Sequence, residues 1–225
     1  MEIEELVAYY PRLYHMAEDG SWPSIQAHGL LSTASLIDLY QIPEPQRTQL
    51  LTQHRPDSIP LTHPVHGRAV IRDQKPLQIT KLNRLLTDLT AAQWIRILNS
   101  YVFFWVHPDR LTKLLNAKAY RDRPHLVLTV DTGSLLRIHA DRVRLSHLNS
   151  GATHVTGDRG SATFQSIAPF SHPRSRQRPA KHVAELAVLG SVPDIVDHTI
   201  ELQRRQPNQV LQTLYRATVP FRPVG

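Results

Sequence analysis

The hydrophobic positions in the first half of this chain recur mainly at helical spacing. This spacing predicts short helices, each near a capping or breaking residue. Ser21 is a plausible N-cap of the second helix, which Gly29 ends, and Ser32 can cap the third. The helical segments are residues 3–16, interrupted by Pro11, then 22–31, 32–42, 43–58, 90–101 and 108–121.

The second half is dominated by β-branched, aromatic and alternating apolar residues, which predict strands. Strands are expected at 69–72, 101–106, 125–132 and 182–192, with one or two short ones within 134–148. Residues 199–205 and 214–219 are read as a helix end and a strand in either order. Residues 149–164 and 170–181 are read as loops. Helices come mainly before strands, so the expected fold is α+β in a single domain spanning residues 1–225.

Composition narrows the class of protein. The 225 residues are 41% hydrophobic and 20% charged, enough for an ordered core, and cysteine is absent. Disulfides and thiolate chemistry are therefore excluded. The acidic start "MEIEELVAYY" does not resemble a signal peptide, and no apolar run has the length of a membrane span. We expect a cytoplasmic protein without membrane contact.

The net charge is +7, and most of the cations are arginines. A basic surface favours polyanions such as nucleic acid, and arginine suits bidentate phosphate contacts. The charge alone is equally consistent with a soluble protein that has an excess of arginine.

Several common chemistries lack their motifs. There is no GxGxxG, no phosphate-binding loop with its lysine and no HExxH. His63 and His66 in "HPVH" have no third ligand at helical spacing nearby, so a solvated loop explains them better than a metal. No metal site is expected.

Three local features carry candidate chemistry, and each also has a plain structural explanation. Tyr14-His15 precedes a helix, although His15 could be a buried histidine on an edge strand. An aromatic strand leads to Arg110, although its aromatic residues could be ordinary core. Glu185 lies within the apolar run "HVAELAVLG", where it either faces water at a sheet edge or serves a site.

The order of these features resembles the ADP-ribosyltransferase superfamily. "LYHMAEDGSWPSIQAHGLLS" is similar to the opening strand and helix of DarT-type DNA ADP-ribosyltransferases, with Ser21 in place of the usual Asn. "YVFFWVHPDRL" resembles a second block of that family, and "HVAELAVLGSVPDIVDHTI" resembles its final block. The segment 41–99 is longer than in DarT, which indicates a divergent relative.

The resemblance implies a fold of two small, packed, mostly antiparallel sheets flanked by helices. It also implies NAD as co-substrate, with Glu185 as the catalytic carboxylate. The remaining cofactor contacts would come from His15 and Tyr14 at the ribose or nicotinamide and from the helix start at Ser21 and Ser24. Phe104, or its neighbours Phe103 and Trp105, would stack on nicotinamide, and Arg110 would hold a phosphate.

The loop before the Glu185 strand occupies the position of the family's substrate-recognition loop. It carries Arg174, Arg176 and Arg178, which favour a phosphate-bearing acceptor, and Asn149 and Arg159 are further candidate contacts. The expected function is transfer of ADP-ribose to a nucleic acid base, DNA before RNA, by a toxin or phage-defence effector, with an antitoxin as a further candidate partner. The alternatives are NAD hydrolysis, protein modification, removal of an RNA 2′-phosphate, or a non-catalytic nucleic-acid-binding module.

Overall fold

The computed structural model describes residues 1–154, 156–171 and 179–218. The helices are α1 (Ile3–Tyr9), α2 (Trp22–His28), α3 (Thr33–Leu39), α4 (Gln46–Thr52), α5 (Ile79–Leu85), α6 (Ala91–Asn99), α7 (Pro108–Asn116), α8 (Thr132–His139) and α9 (Ile195–His198). The strands are β1 (Arg12–Glu18), β2 (Leu30–Leu31), β3 (Ile59–His63), β4 (Gly67–Ile71), β5 (Tyr101–Trp105), β6 (His125–Asp131), β7 (Val143–Ser146), β8 (Glu185–Leu189), β9 (Ser191–Val192), β10 (Thr199–Gln206) and β11 (Gln209–Arg216). Short 3₁₀ turns follow α8 and precede β8.

Local side-chain chemistry accounts for several helix ends. Ser32 caps α3 by accepting a hydrogen bond from Ser35 N, as its sequence predicted. Thr90 and Gln93 form a capping box at the start of α6. Gly29 ends α2 at φ 77°, where Pro193 lies too close to leave room for a Cβ. Ser21 does precede α2, but its side chain makes no capping bond.

Seven strands form one antiparallel sheet in the order β11-β10-β6-β1-β5-β8-β7. Within it, β1 pairs with β6 along its whole length, but its pairing with β5 is confined to Tyr14 opposite Trp105. The sheet therefore has two halves that separate just after this pair. Two-stranded sheets β2-β9 and β3-β4 lie outside it.

This topology confirms an α+β fold but differs from the expectation of two small packed sheets. The halves β11-β10-β6-β1 and β5-β8-β7 are joined through the β1-β5 pair into one seven-stranded sheet. The main apolar core lies on one face of this joined sheet, with residues from β1, β5, β6 and β8. Both halves therefore share one core.

Some local expectations differ from the structure. The first helix ends at Tyr9, and β1 begins after Pro11, because proline disfavours a helical predecessor. The C-terminal pair is the hairpin β10-β11 rather than a helix end and a strand. The short strand expected within 134–148 is β7, and it follows the unpredicted helix α8, in which Asp131 accepts a capping bond from Ser134 N. The helix α5 and the strand β3, which pairs with the expected strand near Ala69, were also not predicted.

The segment between α3 and β5 builds two smaller apolar clusters beside the main sheet. One lies among α3, α4 and the β3-β4 hairpin, and the other centres on Leu82 and Trp94. The buried Asn99 side chain links them, because it donates to the carbonyls of Leu50 and Leu51. These clusters form the wall that faces the open part of the large sheet.

Candidate active site

A cavity of about 360 Å³ opens where β1 and β5 separate. Its size lies at the small end of the range for ligand sites. One wall is the main sheet, with β1 residues 15–18 and β5 residues 101–103. The rest of the lining includes the start of α2, the β4 strand, the end of α6 and the loop at 149–151, together with Trp105 and Glu185.

His15 lies in the gap between the two halves of the sheet. Its Nδ1 is 2.9 Å from the carbonyl oxygen of Phe103, on the neighbouring strand β5. A carbonyl only accepts, so Nδ1 carries the proton and Nε2 is left as an acceptor. Burial is the main cause that lowers the pKa of His15 to about 4, and the positive charge of Arg72 adds to it. His15 is therefore a neutral hydrogen-bond acceptor at physiological pH.

Glu185 begins β8 opposite Trp105, and only 4% of it is exposed. Its Oε2 accepts two hydrogen bonds from Ser150, from the amide at 3.0 Å and from the hydroxyl at 2.7 Å. In the described part of the chain no donor reaches Oε1. A buried carboxylate with one bonded oxygen in the lining of a cavity is prepared to meet a ligand with the other.

Burial is the main influence on the charge of Glu185. It raises the pKa of the carboxyl from 4.5 to about 7, while the bonds from Ser150 and then the charges of Arg110 and Arg159 act in the opposite direction. The carboxyl therefore changes protonation state near neutral pH. Groups with such displaced pKa values are frequent at functional sites.

Arg159 is fully buried, so it offers no surface to a nucleic acid phosphate, contrary to its predicted role. Its guanidinium donates to the carbonyls of Gly157 at 2.7 Å, Asn149 at 3.2 Å and Ala152 at 2.5 Å. Arginine has a planar fork of donors that suits several carbonyls at once. The residue thus supports the loop that carries Ser150.

Some of the other predicted contacts line the cavity and some do not. Those in the lining are Ser21, Ser24, Asn149, Phe103 and Trp105.

Tyr14, Phe104 and Arg110 lie outside the cavity lining. Tyr14 packs against the α7 residues Leu111 and Leu115, and Phe104 is in the main core. A direct NAD contact by these three is therefore not supported by their positions. Arg174, Arg176 and Arg178 lie outside the described residues.

Sequence reasoning missed several polar residues of the cavity lining, among them Ser150 and Arg72. Arg72 Nη1 is 3.4 Å from Glu18 Oε2, and the guanidinium lies 5.4 Å from the centre of the Tyr120 ring. Its guanidinium donates no hydrogen bond within the described ranges. Arg55, which also lines the cavity, is instead bonded to Leu50 O and Asn99 Oδ1. The sequence signal that could have identified Arg72 as a cavity residue is its position as a basic residue at the end of a predicted strand.

Among the described residues, one group has metal-ligand chemistry: His139, Asp194 and His198, whose ligand atoms lie within 4.8 Å of one another. Arg142 Nη2 is 2.6 Å from His139 Nδ1, and guanidinium only donates. The proton of His139 therefore lies on Nε2, bonded to Asp194 Oδ1 at 2.7 Å. This arrangement leaves no lone pair on that nitrogen for a metal, and the three residues form a hydrogen-bonded network away from the cavity.

The fold and the cavity together define an α+β protein with a buried carboxylate and a neutral histidine in the lining of one cavity. Within the described ranges no helix is long and apolar enough to cross a membrane. The chain belongs to a family of unknown function, DUF7002, whose model matches residues 11–199 and so spans β1 to the start of β10. No curated protein matches it.

Proposed function

We propose that this protein transfers ADP-ribose from NAD to a base of a nucleic acid. The carrying observation is the pairing of His15 and Glu185 in the lining of one cavity, at the separation of β1 and β5. The two residues are distant in sequence, and they belong to the two blocks that most closely resemble ADP-ribosyltransferases.

The chemistry of the transfer suits Glu185 Oε1, the oxygen that no donor from the described residues reaches. Cleavage of the C–N bond to nicotinamide leaves positive charge on the ribose, and the electron pair departs with neutral nicotinamide. An ionised carboxylate held in a buried site stabilises such a cation more than it would in water. A nitrogen or oxygen of the acceptor base then attacks the ribose carbon and loses its proton.

His15 and Arg72 supply the other contacts that we propose. The Nε2 atom of His15 is an acceptor and suits a ribose hydroxyl, which is a donor. Arg72 presents a guanidinium in the cavity and suits the pyrophosphate in the role first assigned to Arg110. The aromatic side chains of Phe103 and Trp105 offer apolar surface for nicotinamide.

The acceptor class rests on charge and on the resemblance rather than on the cavity. The net charge of +7 and the arginines at 174, 176 and 178 favour a phosphate-bearing acceptor. The toxin or defence role, an antitoxin partner and a cytoplasmic location belong to the same proposal. Because the cavity is open and lined by Glu185, we favour an enzyme over a non-catalytic binding module.

The decisive experiment is incubation of the protein with NAD labelled in its adenylate half, together with separate pools of DNA, RNA and protein. We expect label on DNA, with release of nicotinamide. Label confined to protein or RNA would favour the alternative transferases, and nicotinamide release without any labelled pool would indicate a hydrolase.

A matched pair of variants assigns the activity to the cavity. Glu185→Gln keeps the bonds from Ser150 but removes the charge, so we expect turnover to fall about 10²-fold or more. Glu201→Gln makes the same change at a surface ion pair with Arg216 and should leave turnover near the parental value. Near-parental turnover of Glu185→Gln would overturn the assignment.

A further inference from the structure

Ser150 is held against Glu185 by a loop. The residue that fixes this loop in place, Arg159, lies near the other end of it. The loop runs from Asn149 to Gly160, and its first residues line the cavity. Ser150 is itself buried, with 1% exposed, and it provides both hydrogen bonds to Glu185 Oε2. The position of the carboxylate therefore depends on how firmly this loop is fixed.

Arg159 is the anchor of the loop. Its side chain donates to carbonyls on both sides of Ser150, those of Asn149 and Ala152, and also to Gly157. Its own backbone is fixed as well, because its amide donates to Leu85 O at 2.8 Å and its carbonyl accepts from Thr87 N at 2.9 Å. Arg159 thus connects the Ser150 turn, through its side chain, to the segment that follows α5, through its backbone.

We infer that Arg159 is a positioning residue, which holds Ser150 against one oxygen of Glu185 so that the other oxygen stays directed to the ligand. This inference gives Arg159 a role in the proposed reaction although it touches neither substrate nor the reacting atoms. The catalytic importance of Glu185 rests on the proposed function, whereas the link from Arg159 to Glu185 can be measured without any turnover.

The test compares two arginine-to-lysine variants by NMR titration of carboxyl-labelled glutamate, in which Glu185→Gln identifies the resonance. Arg159→Lys keeps the charge but cannot span three carbonyls, so the bonds from Ser150 weaken. We expect the pKa of Glu185 to rise by about one unit, the size of one weakened charge-assisted hydrogen bond. In the control Arg110→Lys the pKa should stay at the parental value, because Arg110 acts on Glu185 only through its charge.

A double-mutant cycle tests whether the effect passes through Ser150. Ser150→Ala should raise the pKa of Glu185 by a similar amount, and adding Arg159→Lys should then raise it no further, since coupled residues are not additive. Additive shifts, or a folded Arg159→Lys protein in which Glu185 titrates as in the parent, would overturn the inference.

If Arg159→Lys does not fold, hydrogen exchange of the unaltered protein tests whether Arg159 anchors the loop that carries Ser150. The amides of Ser150 and Arg159 should exchange at similar rates, because one anchored loop opens as a unit. Exchange of Ser150 about 100-fold faster than that of Arg159 would refute the anchor. If the parent released no nicotinamide from NAD while the titrations gave the expected shifts, the proposed function would fail and the positioning role would stand.

Discussion

Glu185 illustrates how burial and partial hydrogen bonding prepare a single residue for chemistry. Its environment disfavours the charged form, yet Ser150 and two arginines retain enough stabilisation for ionisation near neutrality. Burial acts on His15 in the same way, by disfavouring the charged form, and so keeps the imidazole neutral. A neutral acceptor and an ionisable carboxylate in the lining of one cavity suit the ribose of the proposed reaction, whose carbon becomes cationic.

The pH dependence of turnover should follow the ionisation of Glu185. In the proposed reaction the ionised form of Glu185 is the active one, so kcat/KM should rise about tenfold per pH unit at low pH and level off above about 7, the pKa of the free carboxyl. The midpoint for kcat should lie lower, since the cationic nicotinamide of bound NAD favours the carboxylate. A profile that falls as pH rises through neutrality would contradict this role.

The stability of the protein should carry the same signature. The folded pKa of Glu185 is raised from 4.5 to about 7, so folded protein binds the proton more tightly, and the free energy of unfolding falls as pH rises across this window. Relative to the parent, the free energy of unfolding of Glu185→Gln should increase by up to about 3 kcal/mol as the pH rises from 4.5 to about 7. Above that pH the difference should stay constant. Urea unfolding at several pH values measures this, and Glu201→Gln should differ from the parent by less than about 0.5 kcal/mol throughout.

His15 should contribute to NAD affinity through its acceptor nitrogen. His15→Ala removes that acceptor, and we expect NAD binding to weaken by about 1–3 kcal/mol in calorimetry. His154→Ala, in the loop but outside the cavity lining, is the matched control and should bind NAD as the parent does. Unchanged affinity of the His15 variant would mean that His15 only joins the two strands.

At the scale of elements, the separation of β1 from β5 creates the cavity. Pairing stops after Tyr14 and Trp105, and the imidazole of His15 takes over the next bond to β5. The segment between α3 and β5 then covers the opening with α6 and β4. This segment, which is longer than expected from the resemblance, is therefore part of the site.

Asn99 should be essential to that covering segment. Asn99→Ala removes the side-chain donor to Leu50 O and Leu51 O and one acceptor of the buried Arg55, so we expect a loss of about 2–4 kcal/mol in the free energy of unfolding by urea. Asn116→Ala removes an exposed bond to Thr112 O and should cost less than about 0.5 kcal/mol. Equal losses for the two variants would show that the covering segment does not depend on this network.

At the scale of the whole molecule, positive charge is the feature that concerns a nucleic acid partner. The net charge of +7 acts over the whole surface, whereas the arginines at 174, 176 and 178 precede the strand of Glu185 directly. If the whole surface attracts the nucleic acid, removal of three positive charges should weaken binding equally wherever they lie. If the arginines at 174, 176 and 178 contact phosphates, their removal should have the larger effect.

Replacement of Arg174, Arg176 and Arg178 by glutamine should lower the slope of log affinity against log salt by up to about 2–3, since each phosphate contact adds about 0.7–0.9. The control replaces three exposed arginines elsewhere, Arg12, Arg96 and Arg137. Equal slopes for the two triple variants, measured on DNA and RNA, would mean that the charge acts generally and that the loop makes no phosphate contact.

The sequence by itself determined the elements whose signals are local. Periodicity and capping residues predicted α3, α6 and α7, and β-branched or aromatic runs predicted β5, β6 and β8. Glu185 and His15 could also be selected from the sequence, because their signals are local. Glu185 is a carboxylate within an apolar strand, and His15 is a histidine that precedes a helix.

Only the tertiary structure decided which residues meet. Ser150 lies 35 positions from Glu185 in the sequence, where it resembles an ordinary loop residue. The sequence suggested that Arg159 is a surface cation, but in the folded chain it is fully buried. The order of the strands and the opening between β1 and β5 likewise depend on pairings between distant segments. Such pairings are fixed by the packing of the whole chain, to which the local pattern of any one segment contributes only its preferred conformation and its apolar face.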